Sequence, residues 1–73
     1  MRMLSRELVA HLKERFPKGT RVELVYMEDI HAPAEGTQGT VIAVDDMGTI
    51  HVAWDNGSRL GVVFGEDICR EVK

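Results

Sequence analysis

One cysteine, two prolines, one tryptophan and one tyrosine are all that 73 residues contain of these types, and each scarcity closes off a class of protein. With Cys69 alone, no internal disulfide can form and no zinc site can be built on paired thiolates, so a reducing, cytoplasmic setting is expected. No apolar run is long enough to span a membrane. From Met1 to Phe16 the apolar residues are interleaved with Arg2, Arg6, Glu7, Lys13, Glu14 and Arg15, so no signal peptide is expected there and the protein should stay where it is made. A chain this short has room for one core, which predicts a single domain over residues 1–73. So small a core must claim most of the large apolar residues, leaving few to build a deep catalytic pocket.

The net charge of −3 hides an asymmetry. Residues 1–21 carry six cations (Arg2, Arg6, Lys13, Arg15, Lys18, Arg21) against two anions (Glu7, Glu14), a surplus of +4. Residues 22–73 carry three cations (Arg59, Arg70, Lys73) against ten anions, a balance of −7. An acidic body repels a phosphate backbone, so any nucleic-acid contact would have to come from the basic start of the chain. That start is expected to lie against the acidic body and neutralise it.

From Leu4 to Phe16, the residues Leu8, Leu12 and Phe16 recur at every fourth position beside Val9, which predicts an amphipathic helix over 4–16. Ser5 is placed to cap it, Glu7 and Lys13/Arg15 match the helix dipole, and Pro17 with Gly19 ends it. The period then changes to two. Val22, Leu24 and Tyr26 mark a first strand, Thr40 to Val44 a second, Thr49 to Trp54 a third and Ile68 to Val72 the last. Glu28 to Gln38, with Pro33 and Gly36, is expected to be a long loop of the kind that carries binding residues. Asp45-Asp46-Met47-Gly48 predicts one hairpin turn and Asn56-Gly57 another. A two-residue type I′ tip at Asn56-Gly57 would set Ile50 opposite Val63 and His51 opposite Val62, turning Ile50, Val52 and Val63 inward. The remaining apolar residues of that hairpin would be covered by the helix, Gly61 would let the sheet bend, and a turn or one turn of 3₁₀ helix is expected at Phe64–Asp67. Helix plus five short strands predicts a mostly β fold: a five-stranded SH3-like barrel over residues 20–72 behind an N-terminal amphipathic α-helix.

Gly19-Thr20-Arg21-Val22, Gly36-Thr37-Gln38-Gly39-Thr40-Val41, Val52-Ala53-Trp54-Asp55-Asn56-Gly57-Ser58 and Gly65-Glu66-Asp67 resemble an uncharacterised bacterial, phage-associated family of very small proteins known only as a domain of unknown function. The resemblance covers nearly everything after Phe16 and implies a fold and an origin but no activity. The Gly-Thr-Val and Trp-Asp-Asn-Gly-Ser pieces also resemble the SH3-like domain of mind-bomb and related proteins, which implies peptide binding.

No pattern of reactive residues points to catalysis, and no enzymatic activity is expected. His11, His31 and His51 are scattered, and although Asp29, His31, Asp45 and His51 hold suitable ligand atoms, their spacing fits no metal motif. Asp45-Asp46 and Glu66-Asp67 are better explained as turn residues bonding their own backbone than as a carboxylate pair. Gly36-Thr37-Gln38-Gly39 lacks the lysine and the helix of a phosphate loop. Cys69, without a neighbouring histidine, reads as structural, and no cofactor is expected. What remains is a binding surface. Tyr26, Glu28 and Asp29 beside the long loop, with Trp54 and Arg59 near a hairpin tip, would form an acidic, aromatic-flanked groove selecting a basic or proline-containing segment. For each the plain structural role competes: Trp54 as a cap on the core, Tyr26 at its edge, the acids solvated. The expected function is therefore a non-catalytic module recognising a protein or peptide, with self-association open. A nucleic-acid accessory factor using the basic helix is the alternative.

Overall fold

The computed structural model describes residues 4–72; Arg2 and Lys73 of the charge inventory lie outside the described residues. Helix α1 (Arg6–Arg15) precedes strands β1 (Arg21–Tyr26), β2 (Gln38–Val44), β3 (Thr49–Trp54), β4 (Val62–Val63) and β5 (Ile68–Glu71). Ser5 caps α1 by accepting a hydrogen bond from the Leu8 amide at 3.1 Å, and the turn after the helix closes through Thr20, whose amide and hydroxyl both donate to the Pro17 carbonyl. No helix among the described residues is long and apolar enough to cross a membrane.

The strands form one antiparallel sheet in the order β4-β3-β2-β1-β5. One face carries Val22, Leu24, Val41, Val44, Ile50, Val52, Trp54 and Val62, and Leu12 of α1 with Phe16, the residue that caps its C-terminus, closes over it, so the helix packs on its own sheet. Its seat is the β2–β3 hairpin, where Lys13 reaches Asp46 at 2.8 Å. The other face is mixed: Arg21 donates to both carboxylate oxygens of Asp55 and to Thr40 and Gln38, Arg70 pairs with Glu23 across β1 and β5 at 2.8 Å, and Val25, Ile42 and Val63 are exposed beside them.

Two expectations need correction. The expected closed barrel is an open sheet, because β4 and β5 are joined by a tight turn and share no ladder. The edge amide of Val63 donates instead to the Asp67 side chain at 3.0 Å. The expected type I′ hairpin is replaced by a three-residue loop. Among the described residues only glycines have positive φ, so Asn56 keeps an ordinary backbone conformation and Gly57 alone, at φ 94°, makes the reversal. The Gly57 amide donates to Trp54 and the Trp54 amide to Ser58. Gly48 does the same job in the β2–β3 turn, at φ 81°, donating to Asp45. The longer loop moves the register by one residue: Ile50 lies opposite Val62 and Thr49 opposite Val63. A shift by one turns every side chain over, so Val62 enters the core and Val63 faces outward. Phe64–Asp67 is a turn around Gly65 rather than a 3₁₀ helix.

Candidate binding groove

Where the sheet stays open, α1 does not seal the gap. The helix and its C-terminal cap contribute Leu8, Leu12 and Phe16, the sheet floor Ile50 and Val62, and the β4–β5 turn with the start of β5 contributes Phe64, Ile68 and Cys69. These residues line an open groove of about 610 Å³. Phe64 and Ile68 leave 39% and 54% of their surface to solvent, which is high for large apolar residues in a domain with so little core to spare.

The rims carry opposite charge. His11 and Arg15, four residues apart and therefore on one face of α1, form one side; Glu66 and Asp67 form the other. The Arg15 guanidinium sits 5.6 Å from the centre of the Phe16 ring, a cation–π contact that holds it at the groove edge. Burial in the wall pushes the Cys69 thiol up to about 11, with Arg15 opposing the shift, so Cys69 is a structural thiol with almost no thiolate at neutral pH.

Asp67 holds the open side in shape. Its Oδ2 accepts from the Val63 amide at 3.0 Å and its Oδ1 from the Glu28 amide at 3.2 Å, tying the β4 edge and the β1–β2 loop to the start of β5. The loop itself is folded down by backbone bonds: Gly36 donates to Leu24, Leu24 to Thr37 and Ala32 to Asp29, while the Asp29 side chain accepts from His31 at 2.7 Å. At its tip Ile30 is 93% exposed.

The structure divides the five residues singled out in the sequence. Tyr26, exposed, lies opposite Ile68 across β1 and β5, and Glu28 is joined through its amide to Asp67, so both are next to groove residues without lining the groove themselves, and Asp29 follows along the loop. Trp54 does not join them. Only 3% of it is exposed, and its indole N–H donates to the Leu60 carbonyl at 2.8 Å, which satisfies the polar end of a core side chain. Arg59, exposed, lies in the β3–β4 loop. Register puts Trp54 opposite Gly39, and Gly39 opposite Val22, whereas Tyr26 is at the other end of β1. Sequence reasoning missed the actual walls: Phe64 and Ile68 sit beside turn residues with no helical or strand period long enough to mark which way they face.

The remaining chemistry-bearing residues serve the turns. Asp45 accepts from the Met47 and Thr49 amides through Oδ1 and contacts His51 Nε2 through Oδ2 at 2.8 Å. Burial alone would push its carboxyl up, but the hydrogen bonds from His51 and the two amides outweigh this and hold it below the usual range. No three His, Cys, Asp or Glu side chains gather into a metal-holding group among the described residues.

Residues 5–72 match the family described as a domain of unknown function (DUF4314). No curated protein matches the chain. No solved structure matches it either.

Proposed function

The chain belongs to the DUF4314 family of unknown function, and we propose that it is a non-catalytic binding module that recognises a protein or peptide segment through the groove between α1 and the β4–β5 turn. Tyr26, Glu28 and Asp29 flank the seat. The observation that carries this reading is the exposure of Phe64 and Ile68 around an apolar hollow with charged rims. Such a site takes an apolar anchor from its partner and orients it by charge. The strand order, with β5 returning beside β1, supports an SH3-like relation in which the barrel is left open between β4 and β5. The expected preference for basic segments then narrows, because acids line only one rim of the groove.

Titration of fluorescent peptides carrying a leucine or isoleucine anchor, flanked by acids on one side and bases on the other, tests the reading. Binding that weakens at least about tenfold in Ile68→Asp, with Trp54 emission showing an intact core, supports it. Equal binding by wild type and Ile68→Asp removes the groove as the seat. The nucleic-acid alternative needs free cations on α1, and Lys13 is already paired with Asp46. It requires salt-dependent binding to DNA or RNA that is weakened by Arg6→Ala with Lys13→Ala.

A further inference from the structure

We infer that the partner in the groove is a second copy of this chain, whose β1–β2 loop inserts Ile30 between α1 and the β4–β5 turn. The inference rests on the groove reading above and names its occupant. A single exposed isoleucine is ordinary on a protein surface. Ile30 differs because it stands on a loop already tied down through Gly36, Ala32 and the Asp29 side chain, so little ordering entropy is lost when it docks.

Charge favours this fit. The chain around the knob reads Glu28-Asp29-Ile30-His31, acid before the isoleucine and a histidine after it. The groove offers His11 and Arg15 on one rim and Glu66 on the other, while both oxygens of Asp67 are engaged by backbone amides. One orientation sets Glu28 and Asp29 against Arg15, with His11 and His31 able to hydrogen-bond the carboxylates they face, and the reverse orientation sets both acids against Glu66.

Knob and groove also lie side by side. Glu28 is bonded to Asp67 on the groove rim, and Ile30 is two residues further, within about 7 Å of chain. Neighbouring knob and groove on one surface allow a two-fold arrangement in which each copy fills the other, the self-complementary patch of an isologous dimer.

Sedimentation of the full chain over a concentration series tests this. Wild type is expected to show a concentration-dependent dimer, weakening with added salt. Ile30→Asp and Phe64→Asp should each raise the dimer Kd at least about tenfold. An equimolar mixture of the two should recover a one-to-one complex, because the groove of the first variant and the knob of the second remain whole. Near-ultraviolet dichroism from Trp54 checks that each is folded, and Ile68→Asp replaces Phe64→Asp should the latter not be. A wild type that stays monomeric to about millimolar concentration overturns the inference; so does a dimer unmoved by both variants. If that monomer still binds the anchored peptides through Ile68, the groove reading stands and only the second copy is lost; if it binds neither, both fall.

Discussion

Gly39 lies directly under the Trp54 ring. The two residues face each other across β2 and β3, and a Cβ on Gly39 would stand 2.9 Å from Trp54 Cε3 and 2.6 Å from Val52 Cγ1. The missing side chain is what lets the largest aromatic of the protein lie flat in the core with its N–H turned to Leu60.

Gly39→Ala is therefore expected to cost about 1–3 kcal/mol through overpacking, because the atoms it meets include the backbone carbonyl of Ala53 as well as side chains. Urea unfolding followed by Trp54 emission measures this. A midpoint equal to wild type would show that the ring has room to move.

Asp67→Ala removes the acceptor of two amides at once, and is expected to cost about 1–2 kcal/mol in global stability. Hydrogen exchange should then quicken at Val63 and Glu28, the donors, more than at the central strands β2 and β3. Uniform quickening across the sheet would mean that Asp67 supports the whole fold rather than the open edge.

How much of this was legible in the sequence depended on the length of the repeating pattern. The Leu8/Leu12/Phe16 stripe and the alternation at Val22–Leu24 and Ile50–Val52 run far enough to fix which side chains face the core, and all seven are buried or half-buried as expected. Beyond the Asn56-Gly57 turn the pattern fails. A two-residue and a three-residue loop share the same Asp-Asn-Gly-Ser letters, and the choice between them reverses Val62 and Val63. The groove was less visible. Tyr26, Glu28 and Asp29 were singled out because a long loop follows a strand, and none of them lines the groove, whereas Phe64 and Ile68 line it only because β4 stops after two residues. Trp54 was weighed both as a cap on the core and as a contact residue opposite Arg59, and the buried role is the one it has, while the close approach permitted by Gly39 is a tertiary fact that no local spacing reveals.

Acid sensitivity should come from two carboxylates. The Arg21 guanidinium beside Asp55 holds its carboxyl below the usual range, and the bonds described above do the same for Asp45. A depressed carboxyl binds its proton more readily in the unfolded chain, so the stability it adds is present above the unfolded value and is lost as pH falls through the folded one. Urea midpoints from neutral to about pH 3 should fall less steeply in Asp55→Asn than in wild type. Identical slopes would show that the Arg21 pair adds nothing to folding.

Cys69 reports on the groove wall. With its thiol raised from 9.0 to about 11, alkylation by iodoacetamide at neutral pH should run roughly a hundredfold slower than for a free thiol, because the thiolate is the nucleophile. Labelling at the free-thiol rate would place Cys69 in water.

The claim at the centre is that the gap between α1 and the β4–β5 turn is the recognition surface, and a methyl chemical-shift map taken while bound partner accumulates tests it most directly. The methyls of Leu8, Val62 and Ile68 are expected to move while those of Val25 and Ile42 stay fixed. Movement centred on Val25 and Ile42, or on the loop bearing Arg59, would contradict it.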